Sequence, residues 1–298
     1  MKEAEFFLTR HTKKTKGQEA SPEGYPGISE SGIELAKERV GEILNLIESA
    51  PKGTIIPLVG VSPVERTRST MKVYSEELRK VLEGRDDVVS ISKEEIQELY
   101  KEKKGVHKTI EEIRKKVEEN PEKKVVIEYP LALKALSDDR WWAPEDKGKP
   151  YGERKLGPYV DHLGGKEKFR KQRSEAIKQW FDEKGMVDGK QIGPNPTEVA
   201  EGHLKTLQRL EKFVHKIFPQ KPLMIGIVGH SLEMDAFLTY LANNGEITSE
   251  GFDKIEGKEI QETELSRLTL KPDGGIALSY RGKNLEYHPR DNHEENNK

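Results

Sequence analysis

Residues 223–231 read Leu-Met-Ile-Gly-Ile-Val-Gly-His-Ser, so a continuous apolar run stops at two polar side chains. A short apolar run bounded in this way predicts a buried strand. Residues 232–241 then carry the pattern of a helix. A strand followed by a helix is the repeating unit of α/β folds, in which ligands gather beyond the carboxyl ends of the strands.

Two more apolar runs end in the same way. Residues 6–9 are Phe-Phe-Leu-Thr and stop at Arg10-His11, whereas residues 54–61 stop at Ser62-Pro63. Three predicted strands thus deliver polar residues to the edge of the sheet where an α/β fold binds its ligands.

The remaining elements are predicted from the spacing of apolar residues. Ser29 is a predicted N-cap, because apolar residues at helical spacing follow it. Pro57 predicts a position away from the centre of the sheet for its strand, because proline cannot donate a ladder hydrogen bond. The other predicted elements are a helix around residues 73–82, a weak strand at 88–91, a helix at 197–217 and a hairpin joining 265–270 to 276–281.

The chain is predicted to form one domain over residues 1–288. Residues 101–196 do not continue the alternation of strands and helices, and they are predicted to form an insertion or cap. The polar residues 289–298 are predicted to be a disordered tail.

The composition excludes several classes of protein. The chain has 298 residues, of which 33% are apolar and 35% charged, with a net charge of −2 and no cysteine. Without cysteine there is no disulfide, thiolate metal site or cysteine nucleophile. The small net charge gives no general attraction to nucleic acid or to an anionic membrane, and no apolar run is long enough for a signal peptide or a membrane span. We therefore expect a soluble, cytoplasmic protein, whose oligomeric state stays open.

The polar residues at the three strand ends fit the needs of phosphoryl transfer. This reaction needs an in-line nucleophile and fixed positive charge around the phosphoryl oxygens. A neutral imidazole such as His11 can be the nucleophile, and a second histidine, if protonated, can stabilise the charge that grows in the transition state. Arg10 and Arg66 offer bidentate donors that match phosphate. Each of these residues alone has a simpler interpretation, as a surface pair, a solvated helix face or a structural histidine. Their shared position at strand ends favours a site.

Four segments in this order resemble the motifs of the histidine phosphatase superfamily, which includes the cofactor-dependent phosphoglycerate mutases. The segments are Leu8-Thr9-Arg10-His11-Thr12, the helix opening at 28–36, the Ser-Pro-Val-Glu-Arg-Thr-Arg-Ser-Thr run at 62–70 and Ile227-Val228-Gly229-His230-Ser231. The resemblance covers roughly residues 5–100 and 197–285. It implies a three-layer, phosphoglycerate mutase-like α/β fold, with a central, mixed, mostly parallel sheet and helices on both faces.

The resemblance also implies a role for each matching residue. His11 would become phosphohistidine, Arg10 and Arg66 would bind the phosphoryl oxygens, and His230 would complete the pocket. Glu98 would be the proton donor, because Ile96-Gln97-Glu98 fits the family pattern, although most glutamates in this segment are expected to be solvated. Ser231 stands where some members carry aspartate, and it is a candidate for substrate binding. No metal or other cofactor is implied, and the partner would be a small phosphorylated metabolite.

The chain departs from the family pattern in two places. The loop at 12–17 reads Thr-Lys-Lys-Thr-Lys-Gly and lacks the usual residues after the first histidine, so that Thr15 is only a candidate contact to phosphate. This departure favours a phosphatase over a mutase. The second departure is the unmatched stretch from about 101 to 196, where substrate selection is expected. This stretch carries cations and aromatic residues that could contact an anionic or planar leaving group. We favour the simpler interpretation, a solvated cap whose tryptophans pack it on the core. The residues are Trp141, Trp142, Lys147, Lys149, Tyr151, Arg154 and Lys155.

Three other interpretations stay open. A mutase would return the phosphoryl group to substrate and would need a bisphosphate to prime His11. A non-catalytic relative would bind a phosphorylated ligand without turnover. The third is an α/β-hydrolase with Ser231 as nucleophile, because Gly229-His230-Ser231-Leu232-Glu233 partly matches a nucleophile elbow. That enzyme would need partners such as Asp253 and His288, and it would leave Arg10, His11 and Arg66 without a role.

Overall fold

The computed structural model describes residues 3–16, 19–60, 64–103, 105–129 and 156–289. The strands in this part of the chain are β1 (Ala4–Arg10), β2 (Ile55–Gly60), β3 (Val88–Ile91), β4 (Lys124–Tyr129), β5 (Met186–Val187), β6 (Lys190–Gln191), β7 (Met224–Gly229), β8 (Leu265–Leu270), β9 (Ile276–Tyr280) and β10 (Lys283–Tyr287). The helices are α1 (Glu30–Ser49), α2 (Glu65–Leu82), α3 (Lys93–Lys103), α4 (Val106–Glu118), α5 (Leu156–His162), α6 (Gly165–Lys171), α7 (Arg173–Glu183), α8 (Pro196–Ile217), α9 (Ser231–Ala242) and α10 (Ser249–Asp253).

Eight strands form one mixed sheet in the order β10-β9-β8-β1-β7-β2-β4-β3. The neighbouring strands β1, β7, β2, β4 and β3 pair in parallel. On the other side of β1, the strands β8, β9 and β10 join by antiparallel pairing. The predicted α/β fold class, with a mostly parallel mixed sheet, is confirmed. The predicted hairpin corresponds to β8 and β9, and β10 extends it beyond the prediction.

Both faces of the sheet are covered, because alternate residues of each strand point to opposite sides. In β1, Phe7 packs into a cluster with apolar residues of α1 and α2. Its neighbours Phe6 and Leu8 pack into a second cluster with apolar residues of α4, α7, α8 and α9. The sheet is therefore the middle of three layers.

The prediction for Pro57 was wrong, because β2 is an interior strand between β7 and β4. Pairing with β4 is continuous from Ile55 to Val59. Pairing with β7 covers Leu58 to Gly60 and resumes only as an isolated bridge between Ile55 and Leu223. The missing donor of Pro57 is thus accommodated by an interruption of the ladder on the β7 side.

The prediction of an insertion over all of residues 101–196 also needs correction, because β4 at Lys124–Tyr129 belongs to the central sheet. Its apolar centre is only three residues long, Val125 to Ile127, between charged neighbours. One of these neighbours, Lys124, is buried and donates from Nζ to the backbone oxygen of Glu48 at 2.8 Å. The predicted tail lies outside the described residues from 290 onwards.

In the described residues, no helix combines the length and the apolar character that crossing a membrane requires.

Candidate active site

The two histidines meet at the carboxyl edge of neighbouring strands. His11 directly follows β1 and His230 directly follows β7, and these strands pair in parallel, with Arg10 opposite Gly229. The backbone N–H of His11 donates to the Gly229 oxygen at 3.0 Å. The ring centroids of His11 and His230 lie 5.2 Å apart, at an interplanar angle of 66°. The sheet register therefore brings together two residues that are 219 positions apart in the chain.

One hydrogen bond determines which nitrogen of His11 is available for chemistry. Nδ1 lies 2.7 Å from the backbone oxygen of Thr12. A carbonyl oxygen only accepts, so Nδ1 carries the proton and donates it. In the neutral ring, Nε2 then has a free lone pair, as a nucleophile requires.

The loop after β1 is fixed by bonds to two helices. The Thr12 hydroxyl donates to the Gly32 oxygen at 2.6 Å, and the Thr12 N–H donates to the Thr70 hydroxyl at 3.1 Å. Thr70 in turn donates to the backbone oxygen of Arg66 at 2.7 Å. Thr70 therefore connects the loop behind His11 to the first turn of α2, which carries Arg66.

Ser29 and Gly32 hold the same loop at the start of α1. Ser29 is the N-cap, as predicted, and its hydroxyl accepts from the Gly32 N–H at 3.1 Å. The Ser29 N–H donates to the Lys13 oxygen at 3.1 Å. A Cβ at position 32 would lie 2.4 Å from that oxygen, so glycine is what allows the helix to approach the loop so closely.

Arg66 reaches the second histidine. Its Nη2 donates to Nδ1 of His230 at 3.2 Å, which places the ring proton of neutral His230 on Nε2. Burial lowers the pKa of Arg66, although arginine stays cationic in proteins. His230 thus offers a donor, Nε2–H, and His11 offers a lone pair.

Both histidines are held in the neutral form. The pKa of His11 is well below 6.5, because the ring is buried and the positive charge of Arg66 lies close to it. Burial, together with the charges of Arg66 and Arg10, lowers the pKa of His230 to about 3. Each ring therefore keeps its single proton at neutral pH.

A third arginine joins the site from α7, and the sequence did not predict it. The Glu259 carboxylate pairs with Arg10 Nη1 at 2.8 Å and with Arg173 Nε at 2.7 Å. Arg173 also donates from Nη2 to the Ser231 hydroxyl at 2.8 Å, beside His230. No motif marks Arg173 or Glu259, because each comes from a segment whose local pattern is that of a solvated helix or loop.

A buried carboxyl group supports the loop that carries Glu259. Asp235 in α9 is 1% exposed, and its Oδ1 accepts from the Ile260 N–H at 2.8 Å. Arg10 Nη1 donates to the backbone oxygen of the same residue, Ile260, at 2.6 Å. Burial raises the pKa of Asp235 to about 8, so this group is mostly protonated at neutral pH.

Lys14 adds positive charge near the arginines of the site. It lies in the loop that follows His11, and most of its side chain is exposed. Partial burial lowers its pKa, and the charges of Arg66, Arg170, Arg173 and Arg10 lower it further. The loop after β1 and the segment α6–α7 therefore bring cations to the same place.

In the described residues, no group of three or more histidine, aspartate or glutamate side chains is arranged to hold a metal ion.

No protein-family model and no curated protein matches the chain. Solved structures similar to it include a phosphoglycerate mutase from Bacillus anthracis, at 13% identity and a TM-score of 0.39, over 95% of this chain and 94% of the other. A mycobacterial glucosyl-3-phosphoglycerate phosphatase in complex with VO3 has 12% identity and a TM-score of 0.39, over 93% and 98% of the two chains. A phosphoserine phosphatase from Entamoeba histolytica in complex with 3-phosphoglyceric acid has 12% identity and a TM-score of 0.38, over 89% and 90%.

At these identities and TM-scores the matches assign neither a family nor a role to the chain. Of the residues assigned from the superfamily motifs, His11, Arg10, Arg66 and His230 lie together at the carboxyl edge of the sheet. Ser62 and Pro63 of the third motif lie outside the described residues, as do the candidate contacts at 141–155.

Glu98 does not join this group. It is exposed on α3, which follows the edge strand β3, and β3 lies four strands from β1. At about 4.8 Å per strand, this is roughly 19 Å across the sheet. Within the described residues, no hydrogen bond or ion pair joins Glu98 to the histidines or arginines of the site. Its role as the superfamily's proton donor stays a prediction.

Thr15 and Ser231 have different surroundings. Thr15 is half-buried in the loop after His11, and its role stays a prediction. Ser231 is buried at the start of α9, where its hydroxyl accepts from Arg173. Arginine cannot act as a base, and in the described part of the chain neither Asp253 nor His288 contacts Ser231. The geometry therefore gives the hydrolase interpretation no catalytic base.

Proposed function

We propose that the chain is a phosphomonoesterase of the histidine phosphatase superfamily and works through a phosphohistidine on His11. The observation that carries this proposal is that the two neighbouring histidine rings offer a lone pair and an N–H donor, respectively. His11 has a free Nε2 lone pair, and His230, 5.2 Å away between ring centroids, has a protonated Nε2 and accepts from Arg66 through Nδ1. A nucleophile and a donor for a phosphoryl oxygen thus lie side by side.

In the first step, Arg10, Arg66 and the Nε2–H of His230 bind the phosphoryl oxygens, and Nε2 of His11 attacks phosphorus in line. The P–N bond forms as the ester P–O bond breaks, and the leaving alkoxide takes a proton from a carboxylic acid. In the second step, water attacks phosphorus, the P–N bond breaks and inorganic phosphate leaves. The water proton returns to the carboxylate, so His11 is neutral again.

The arginines supply the charge stabilisation in this scheme, and we propose that no metal takes part. Three half-buried arginines lie at the site: Arg66 contacts His230, and Arg10 and Arg173 share the carboxylate of Glu259. Guanidinium groups match phosphoryl oxygens in geometry and charge. The test is hydrolysis of 4-nitrophenyl phosphate with EDTA present. We expect full activity. Activity that vanishes with chelator and returns with a divalent cation would disprove the metal-independent mechanism.

The sequence resemblance, and not the position of Glu98 in the fold, supports Glu98 as the proposed proton donor. The choice of substrate tests this role. 4-Nitrophenolate leaves without a proton, whereas an alkoxide needs one. Glu98→Gln should therefore reduce hydrolysis of an alkyl phosphate much more than hydrolysis of 4-nitrophenyl phosphate, and Glu95→Gln is the control on the same helix. Equal effects on both substrates would exclude Glu98 as the donor.

A mutase is the second candidate. The extra cations beside the phosphate pocket favour it, because a mutase must hold a doubly phosphorylated compound. Single-turnover phosphorylation of His11 by a monophosphate ester, in the absence of any bisphosphate, would support the phosphatase. A strict requirement for added bisphosphate would support the mutase.

A further inference from the structure

One loop beside the site carries the contacts that hold two of its arginines. Residues 254–264 join α10 to β8 without forming a helix or strand, and we call them the anchor loop. The Glu259 carboxylate in this loop pairs with both Arg10 and Arg173. The backbone oxygen of the next residue, Ile260, accepts from Arg10. Both guanidinium groups therefore depend on the position of the anchor loop.

The anchor loop is fixed by a side chain from the far end of the sheet. Arg281 lies in the turn between β9 and the edge strand β10, which is three strands from β1. Its Nε and Nη2 donate to the Glu264 carboxylate at 2.7 and 2.9 Å. Three further N–H groups donate to the backbone oxygens of Ile255, Lys258 and Glu259, at 2.9, 2.9 and 3.0 Å. All five donors of this guanidinium are thus used on the anchor loop.

Arginine is a residue that the backbone of this turn disfavours. Arg281 and Gly282 form a two-residue hairpin turn, and both have positive φ, 48° and 70°. Turns of this kind favour asparagine or glycine, because other side chains are strained in the left-handed region. The hairpin therefore gives no reason for an arginine at position 281, whereas the hydrogen bonds to the anchor loop do.

Arg10 and Arg173 need such a support because they are like charges from different elements. Arg10 ends β1 and Arg173 begins α7, and without the Glu259 carboxylate between them the two guanidinium groups would repel each other. Nη1 of Arg10 makes both contacts with the anchor loop, and within the described ranges its buried Nε has no hydrogen-bond partner. The edge formed by Nε and Nη2 is thus left for a phosphoryl group.

We propose that Glu259 and Arg281 are positioning residues for the phosphate-binding arginines. Arg281 fixes the anchor loop, and Glu259 in that loop holds Arg10 and Arg173 in the arrangement that binds the phosphoryl group. This inference rests on the proposed function and adds to it the residues that align its arginines. Neither Glu259 nor Arg281 touches the substrate or takes part in bond breaking.

Two single variants test these roles. Glu259→Gln removes the charge and keeps the size of the side chain, whereas Arg281→Asn removes the guanidinium and suits the turn. Each should lower kcat/KM for 4-nitrophenyl phosphate by roughly tenfold or more, because misplaced donors bind the transition state poorly. Each should also raise the inhibition constant of inorganic phosphate by roughly tenfold. Lys271→Ala breaks a surface pair with Glu286 in the neighbouring hairpin and should change neither quantity.

The inhibition constant separates positioning from a purely structural role. A variant that only folds poorly loses active protein, so its apparent kcat falls while the inhibition constant of phosphate stays the same. An unchanged inhibition constant in either variant would overturn the role of that residue. Tighter inhibition in Glu259→Gln would also overturn the proposal, because Glu259 would then compete with phosphate for the arginines.

The double variant shows whether Arg281 acts through Glu259. If both residues act through the anchor loop, Glu259→Gln combined with Arg281→Asn should lose less kcat/KM than the product of the two single losses, by about threefold or more. A loss equal to that product would mean that the residues act independently, and it would overturn the connection between them.

A measurement without substrate separates this proposal from the proposed function. Nε of Arg173 lies 2.7 Å from the Glu259 carboxylate, and exchange of its proton with water can be followed by NMR, with the signal assigned through its loss in Arg173→Lys. Glu259→Gln and Arg281→Asn should each speed this exchange by roughly tenfold or more. If no ester is hydrolysed, the proposed function fails, and the exchange rates alone decide the positioning roles. Hydrolysis with unchanged exchange in both variants would overturn these roles and leave the phosphatase standing.

Discussion

At the residue scale, the bond between His11 Nδ1 and the Thr12 oxygen assigns a different task to each ring nitrogen. His11 can act as the proposed nucleophile only while Nε2 is unprotonated. Burial and the charge of Arg66 keep it so by lowering the pKa of His11. The chemistry of the ring is thus set by a backbone oxygen on one side and by a neighbouring cation on the other.

The protonation of His11 gives a first prediction. Because its pKa lies below 6.5, His11 should stay neutral at pH values where an ordinary histidine is charged. NMR titration of the ring C–H signals, with His11 assigned through its loss in His11→Asn, should show no His11 protonation near pH 6.5. Arg66→Gln should move the titration to higher pH, because it removes the largest repulsive charge. A midpoint at or above 6.5 in the unaltered chain would contradict this electrostatic account.

Asp235 gives a second prediction, on stability. Its folded pKa of about 8 lies above the unfolded value of 3.8, so the folded chain binds more protons between these values. The contribution of Asp235 to stability is therefore present below pH 3.8 and is lost as the pH rises to 8. Asp235→Asn stays neutral and keeps the acceptor for Ile260 N–H. As the pH rises from 3.8 to 8, the free energy of unfolding of this variant should therefore increase relative to that of the unaltered chain, by up to about 1.4 kcal/mol per pH unit.

Urea unfolding at several pH values between 4 and 8 measures this difference. The exposed Asp86→Asn is the control and should show no such trend. An Asp235→Asn variant that loses stability relative to the unaltered chain as the pH rises would show that the carboxylate is charged and stabilising in the fold.

The sequence predicted the site residues that directly follow strands. It did not predict those that reach the site through tertiary packing. His11, Arg10 and His230 directly follow apolar runs, so their place at the sheet edge could be predicted. Arg173 and Glu259 reach the same pocket from an outer helix and a loop, and nothing in their local pattern distinguishes them from solvated charges.

At the scale of elements, α1 packs against the loop after His11 through Gly32. This close approach gives a physical reason for the glycine in the second motif. Gly32→Ala should destabilise the chain by about 1–3 kcal/mol, because the new Cβ would overlap the Lys13 oxygen. It should also lower kcat/KM by roughly tenfold or more, because the loop that holds His11 must shift.

Gly41→Ala is the matched control on the same helix. Gly41 is exposed, and a Cβ there meets nothing within 4 Å, so alanine should stabilise α1 by about 0.5–1 kcal/mol. Chemical unfolding and the assay of 4-nitrophenyl phosphate hydrolysis measure both variants. Equal changes in the free energy of unfolding and in kcat/KM for the two variants would mean that Gly32 has no special part in positioning the loop.

The start of α7 gives a further prediction. Arg173→Ala should lower kcat/KM by roughly 100-fold, the usual effect of removing one donor to a developing anion. Lys178 lies on the same helix as Arg173 and forms a more exposed ion pair with Asp253 of α10. Lys178→Ala breaks this pair and should keep most of the activity. If Arg173→Ala is as active as Lys178→Ala, Arg173 belongs to the packing of the helix and not to the site.

The elements themselves were predicted in most places where apolar patterns were long. The strand β4 was missed because only three apolar residues stand between Lys124 and Glu128. The interior position of β2 was not predicted, because Pro57 lacks the N–H that a central strand normally uses. Only the observed strand pairing shows that the hydrogen-bond ladder between β2 and β7 is interrupted there.

At the scale of the whole molecule, the fold brings four distant segments to one edge of the sheet. The loop after β1, the start of α2, the end of β7 and the segment α6–α7 each contribute one or more polar side chains. The resulting site is strongly cationic, although the chain as a whole has a net charge of −2. This local concentration of positive charge is what an anionic substrate requires.

The central claim is that His11 carries the phosphoryl group during turnover. Rapid quenching in alkaline denaturant during hydrolysis of 4-nitrophenyl phosphate, followed by intact-mass measurement, tests it directly, because a P–N bond survives base and is lost in acid. The account predicts a transient gain of about 80 Da, one phosphoryl group, that localises to His11 and is absent in His11→Ala and His11→Asn. Turnover without a phosphorylated chain, or a phosphoryl group on Ser231, would contradict it.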